Sequence, residues 1–442
     1  MAARQTVVPA ESGADEGTHN GLAAETGEAR PAAKIEAPRR EPGRFNGLAP
    51  FQSRAYRFLF VGTMLTMTGN FMQQVAQGWL IYDLTNSPTW LGVVSFARGI
   101  PMLILALVAG VVVDRFDRRL VLLTAQGLTA VVAVVLAGLI AFDLVQPWHV
   151  AVTAFVSGCL FVLIIPARQA LLSSTIERSQ LAPAIALMST GQNSGRIIGP
   201  ALAGVLIAVL GVAMSFTVQA FGFILALVCA VMLGPQTVVR SSRQISAFQS
   251  LMEGVRYVWE DSTVLALTSL QAIPAFLIMP YTQLLPIFAK DILHTGPDGL
   301  GTLMMSNGIG SVIGSVIIVL LPMRRQGIFL FVSLASMGGL LALFAVSTWL
   351  PLSVGIMGLI GGAQAIYLAS NNTLVQVATP DELRGRVMSV YMMTWGLMPL
   401  GSLPQGIVAD LVGAPIVAAG TGLLACLVVI LFAVRAPTLR RL

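Results

Sequence analysis

Charge is the scarcest material in this sequence. Only 10% of its 442 residues are Asp, Glu, Lys or Arg, against 56% hydrophobic, where a soluble domain carries about 25% charged residues. A soluble chain of two or three domains would have too little polar surface to face water. Soluble globular, disordered, fibrous and disulfide-rich classes are therefore excluded for the bulk of the chain, leaving a polytopic α-helical membrane protein. Cysteine is nearly absent: Cys159, Cys229 and Cys426 lie far apart inside apolar runs, which excludes a disulfide framework and a thiolate metal site. The three histidines, His19, His149 and His294, are unpaired, so no metal is expected. No glycine-rich phosphate loop occurs, which excludes direct use of ATP. No Ser/His/Asp set suggests hydrolysis. The chain is expected to be no enzyme and to need no cofactor.

What is present is order along the chain. Residues 1–50 are rich in Ala, Glu, Gly, Pro and Arg without an apolar period. Such a segment cannot bury enough surface to offset its ordering entropy, so a disordered cytoplasmic tail is expected. About 20 apolar residues span a bilayer. Runs of that length occur near 56–82, 88–113, 119–142, 148–170, 184–209 and 213–233, then near 263–289, 299–322, 328–347, 351–377, 387–410 and 413–434. The spacing predicts an all-α integral membrane fold of twelve transmembrane helices. An N-terminal bundle is expected over 51–234 and a C-terminal bundle over 263–436, with a short tail at 437–442. Between the sixes, in the linker 235–262, Ile245, Phe248, Met252, Val255 and Trp259 recur every three or four residues. They predict an amphipathic helix on the membrane surface or on the bundle.

The net charge is 26 − 20 = +6. In a soluble chain that excess could point to nucleic acid, but here it sits in short loops, and no nucleic acid is expected. Arg39, Arg40, Arg44, Arg54 and Arg57 lie before or at the start of the first run. Arg115, Arg118, Arg119, Arg178, Arg240, Arg243, Arg256, Arg324, Arg325, Arg384, Arg386, Arg435, Arg440 and Arg441 occupy every second loop and the end. The intervening loops hold one basic residue, Lys290. Positive charge marks the cytoplasmic side, so both termini are expected there, in the cytoplasmic (inner) membrane.

The halves repeat. A shift of 202 carries Gly199, Gly204 and Gly211 onto Gly401, Gly406 and Gly413, and Leu172 and Leu181 onto Leu374 and Leu383. A shift of 209 carries Leu91, Gly92, Gly99 and Ile100 onto Leu300, Gly301, Gly308 and Ile309. Two six-helix pseudo-repeats are the signature of a transporter whose halves rock about a central site.

Gly110, Asp114, Arg115, Arg118 and Arg119 lie between the second and third runs. This segment resembles the signature loop of the major facilitator superfamily: Gly, three residues, Asp-Arg, any residue, Gly, two basic residues. Asp117 stands where that pattern has its second Gly. The resemblance covers about residues 54–436 and implies that Asp114 and Arg115 latch the halves together on the cytoplasmic side. In the fifth run, Gly195, Gly199, Pro200 and Gly204 are either ordinary packing by small residues with a proline bend, or a partial match to the glycine-proline motif of drug and proton antiporters. Ala186 stands where that motif begins with Gly. The stretches Pro166 to Ala170 and Glu253 to Asp261 resemble the enterobactin-exporter and macrolide-efflux branch, which implies export.

Arg98 and Arg196 fall about ten and twelve residues into their runs, near the midplane at about 1.5 Å per residue. Each needs a polar partner or an aqueous cavity. The carboxylates Asp83, Asp143, Asp291 and Asp410 all fall at external run ends. Deep positive charge without deep negative charge suits an anionic or strongly hydrogen-bonding substrate, unless both Arg bond backbone carbonyls at helix breaks. Asn70, Gln73, Gln74 and Gln77 share one helical face. Gln364, Tyr367 and Asn371 share another, Tyr391 and Trp395 stack along the eleventh run, and Gln271 and Asn307 stand alone. These residues are candidates for cavity lining, with interhelical hydrogen bonding as the alternative. Asp83 is the best available proton carrier in the first half, and a weak one, since it lies at an external end. The expectation is a monomeric, proton-driven exporter of a small organic molecule, drug-like or siderophore-like. A proton-coupled importer and a non-transporting sensor or accessory protein are the alternatives.

Overall fold

Each apolar run becomes a helix, and the residues at its ends explain where it stops. In the computed structural model the described residues are 48–234, 247–320 and 326–435. The tail expected before residue 48, the tail at 437–442 and the loop arginines Arg240, Arg243, Arg324 and Arg325 lie outside them. Helix α1 (Arg54–Thr85) starts on Ser53, whose hydroxyl accepts from the Tyr56 N–H at 3.3 Å, and ends at left-handed Asn86. Helix α2 (Pro88–Arg115) opens on a proline, whose missing N–H is harmless in a first turn. Helix α3 (Arg118–Ala141) is capped by Asp117, which accepts from the Leu120 N–H at 2.9 Å. That cap is the physical role of the Asp that replaces the signature's second Gly. Helix α4 (Pro147–Thr175) again opens on proline.

Helix α5 (Leu181–Met232) takes the fifth and sixth runs as one element, cornered at Gly211 with φ 83° and ψ 169°. Gly413, with φ 93°, makes the same corner after α13. A side chain at either would be strained. Helix α6 (Ala247–Glu260) follows, then α7 (Ser262–Ile273), capped by Asp261 through two N–H bonds of 2.9 Å. The seventh pass continues irregularly to Ile292, through a π turn, a 3-10 turn, the short α8 (Leu285–Ile287) and a second π turn. Pro274, Pro280 and Pro286 each remove a helical N–H, which is why a regular helix over 263–289 does not form. The remaining elements are α9 (Gly296–Leu320), α10 (Gln326–Ala345), α11 (Leu350–Ala378), α12 (Arg384–Met393), a 3-10 turn at Thr394–Gly396, α13 (Leu397–Val412) and α14 (Ala414–Arg435).

Nine described segments are long and apolar enough to cross a membrane on composition alone. Counting α5 as two passes, the polar-striped α1 as one and α12–α13 as one is consistent with twelve. An even number puts Arg54 and Arg435 on one face, here the terminal face; the other is the distal face. In α6, Leu251, Gly254 and Val258 pack on the bundle, while Met252 and Trp259 stay 50% and 71% exposed. Ile245 and the Phe248 side chain lie outside the described residues.

Within one half, α1 packs on α5, α2 on α4, and α3 on both α4 and α5. Within the other, α9 packs on α11, and α10 on α11 and α14. The halves meet along two seams, α2 with α13 and α5 with α9. Lipid tails are as apolar as leucine, so close approach of small residues and buried hydrogen bonds must hold such helices together. Glycines supply that approach. A Cβ at Gly406 would lie 2.7 Å from the Pro88 carbonyl, and one at Gly204 would lie 2.9 Å from Gly301 Cα.

Candidate functional site

The seams are closest at their distal and middle levels. From the distal ends inward, Gly92 meets Gly406, Gly99 meets Pro399 and Leu103 meets Gly396; on the other seam Gly204 meets Gly301 and Ile197 meets Gly308. Toward the terminal face α2 touches α6, which itself packs on α12 through Gly254 and Arg386. Ser189 and Asn193 continue the α9-facing side of α5 toward the terminal face and are exposed. A Cβ on Gly110 would meet nothing within 4 Å. Among the described residues the halves are joined along both seams from the distal face to mid-depth.

A polar clasp ties the two halves at the distal face. Lys290 Nζ lies 2.9 Å from Asp83 Oδ1 and donates to Asn86 Oδ1 at 3.3 Å. The Tyr82 hydroxyl donates to Asp291, and the hydroxyls of Ser87 and Thr89 donate to Asp410 at 2.8 and 2.5 Å. Apart from Asp83, these residues were not identified as a site from sequence. The signal was there in part: Lys290 is a lone cation among distal carboxylates. Asp83 itself sits in an exposed ion pair.

Beneath the clasp is a chamber of about 40 Å³ between the halves. Gln74, Gln77, Ser95 and Arg98 line it from one side and Thr282 and Gln283 from the other. Arg98 donates to the Asn70 backbone carbonyl at 3.0 Å and to its side-chain oxygen. Gln73 shares their helix but turns into its own half, donating to Ser157 Oγ on α4 at 3.2 Å. The four-amide face therefore divides between two environments.

At mid-depth, Arg196 crosses the α5–α9 seam. Its guanidinium donates to Asn307 Oδ1 at 3.3 Å and to Gln364 Oε1 at 3.1 Å, and Asn307 in turn donates to the Tyr281 hydroxyl at 3.2 Å. Its partners are amide side chains, whereas Arg98 does take a backbone carbonyl, the alternative considered from sequence for both. Asn371 Nδ2 lies 3.3 to 3.5 Å from Gln271 Oε1 and from the hydroxyls of Tyr367 and Tyr391. All four residues are at most 1% exposed. In this arrangement they form a knot joining α7, α11 and α12 and touch no open space. Trp395 is half-buried in the 3-10 turn beside that knot.

Gly195 and Gly199 bring α5 onto Met67, Thr68 and Phe71 of α1, and the Pro200 carbonyl and Gly204 face Gly301. Of the signature loop, Arg115 is exposed, Arg118 is half-buried, and Arg119 donates to the Val231 carbonyl at 2.7 Å within its own half. The Asp114 side chain lies outside the described residues. A separate groove of about 590 Å³ lies over α9, α10 and α11, lined by Ile309, Ile313, Ile317, Val332 and Leu359 among others. It holds none of the candidate polar residues.

Comparison with known proteins agrees with this geometry. The sequence profile of a transmembrane secretion effector family matches residues 45–441. A staphyloferrin A transporter of Staphylococcus aureus is 26% identical over 367 residues, 81% of this chain and 90% of its own. The multidrug efflux pump Tap of Mycolicibacterium fortuitum is 29% identical over 357 residues, covering 78% and 87%. The crystal structure of the nucleoside transporter NupG superposes with a TM-score of 0.67 at 14% identity, covering 86% of this chain and 98% of its own. Helical halves joined along paired glycine seams, with a profile match over nearly the whole chain, mean that this protein belongs to the transmembrane secretion effector family of the major facilitator superfamily.

Proposed function

We propose that the chain is a proton-driven exporter of a small, anionic or strongly hydrogen-bonding organic molecule, working by alternating access. One observation carries alternating access: both seams join the halves from the distal face to mid-depth, the barrier a cargo bound from the terminal face must not cross, in a state that exporter and importer share. Arginine in alternate loops makes that face cytoplasmic. The names of the relatives, a staphyloferrin A transporter and a multidrug efflux pump, support a siderophore-like or drug-like cargo. Arg196 is a proposed contact from the terminal side, Arg98 and the amides of α1 are proposed contacts once the distal chamber opens, and Asp83 is the proposed proton carrier, in a clasp that must open for release.

Uptake of candidate compounds into inverted membrane vesicles tests the function. Accumulation abolished by a protonophore is expected; uptake only into right-side-out vesicles would make the chain an importer, and none in either orientation a non-transporter. In a cysteine-free background, Asp117→Cys should react with an impermeant thiol reagent in inverted vesicles and not in intact cells. Asp114 and Arg115 are proposed to latch the terminal face when it closes. Asp114→Asn should then raise labelling of a cysteine at position 376 and lower turnover. Unchanged labelling and turnover would leave the loop with orientation as its only role.

A further inference from the structure

The chamber beneath the distal clasp has a size, a charge and a donor set that together specify a ligand. Its volume is about 40 Å³. A water requires roughly 10–15 Å³ of such space, so the chamber admits a few water-sized particles and no organic molecule. Its lining holds one guanidinium and no carboxylate. Arg98 commits Nη2 to Asn70, while Nη1 is buried and unpartnered. Arginine cannot shed its charge by losing a proton, and an unbalanced buried charge is costly. Gln77 lines the same space, is 2% exposed, and has no partner for either Nε2 or Oε1, so nothing fixes its amide against turning Nε2 toward an anion. Elsewhere in the lining the Thr282 hydroxyl donates to the Met279 carbonyl at 3.1 Å and Gln283 Nε2 to the Ser402 carbonyl at 2.7 Å, while Gln283 Oε1 is buried without a partner.

We propose that this chamber binds a small monovalent anion of chloride size, held by Arg98 Nη1, Gln77 Nε2 and the Ser95 hydroxyl. Its walls come from both halves, so the anion is bound only while the distal face is closed. By linkage it stabilises that state by as much as its affinity differs between the two. This goes beyond the transport reading and has a binding readout that needs no cargo.

The test uses the full chain in lipid nanodiscs and the chloride-35 NMR linewidth. Wild type should broaden the chloride line, bromide should reverse the broadening, and sulfate should not. Arg98→Gln and Gln77→Leu should each abolish it. Gln77→Glu guards against misfolding: it sets a carboxylate beside Arg98, so chloride broadening should vanish while thermal stability is kept. A second readout is a cysteine at Leu300, which lines the chamber, in a background lacking the three native cysteines. Chloride should slow its modification at least threefold relative to gluconate, and Gln77→Glu should remove the difference. Broadening that survives in Arg98→Gln or Gln77→Glu, or a wild type that does not broaden the line at all, would overturn the proposal and leave the chamber to water.

Discussion

The two seams are copies of one another down to single residues, and then they differ. A shift of 209 carries α2 onto α9 and a shift of 202 carries α5 onto α13. Gly92 against Gly406 thus mirrors Gly301 against Gly204, and Gly99 against Pro399 mirrors Gly308 against Ile197. One layer deeper the copies part. Arg98 corresponds to Asn307, and Arg196 to Met398. On the α5–α9 seam a guanidinium meets an amide oxygen across the halves. On the α2–α13 seam its counterpart would have to meet a thioether, a weak acceptor. Arg98 turns back to Asn70 in its own half instead. Shared glycines set the spacing of both seams; the polar layer ties only one of them at mid-depth. The α5–α9 seam is therefore the firmer pivot, and the α2–α13 seam the freer edge.

The strongest way to break this comparison is to fill both seams. Gly301→Leu and Gly406→Leu each push a side chain into backbone within 3 Å. Overpacking costs about 1–3 kcal/mol, so vesicle transport should fall on the order of tenfold or more in both at unchanged membrane levels. A fall in only one would show that the seams are not equivalent in packing. Next in size, Arg196→Met turns the tied seam into a copy of the free one. Two charge-assisted bonds at about 1.5–3 kcal/mol each are lost, so spin-label distances across α5 and α9 should broaden while those across α2 and α13 stay put. Met398→Gln runs the experiment in reverse by offering Arg98 an acceptor across its own seam, and should narrow the α2–α13 distances. The smallest effect belongs to the clasp that overlies both seams. The Lys290–Asp83 pair is part-exposed and worth about 0.2–1 kcal/mol. Lys290→Gln should raise labelling of a distal cysteine by at most about fivefold, and high salt should erase the difference from wild type. A larger, salt-insensitive change would mean that the clasp, and not the pivot, sets the balance of states.

Much of this was legible in the residues themselves. The apolar runs marked the passes, because hydrocarbon leaves a spanning chain no other way to satisfy its backbone. The matched glycines marked the seams, although only contact reveals that Gly92 faces Gly406 and not its own repeat mate. The face of Asn70, Gln73, Gln74 and Gln77 was legible as a periodicity, but periodicity does not say what stands opposite. Gln73 found Ser157, while Gln77 found the chamber. The hydropathy of the seventh pass reads as a regular helix, but three prolines remove hydrogen bonds and set its actual path.

The sequence alone determined that the chain spans a membrane, that it is built twice, and how deep each arginine and amide lies, since these follow from local composition and a fixed rise per residue. Only the tertiary structure decided the partners. Ser87 and Asp410 are 323 residues apart in the chain, and nothing local joins them. Arg98 and Arg196 look alike as deep cations, yet one is tied across the halves and the other is not. A single sequence gives the depth of a side chain but not the neighbour on its open side, and in a bundle that rocks, that neighbour belongs to the state as much as to the fold.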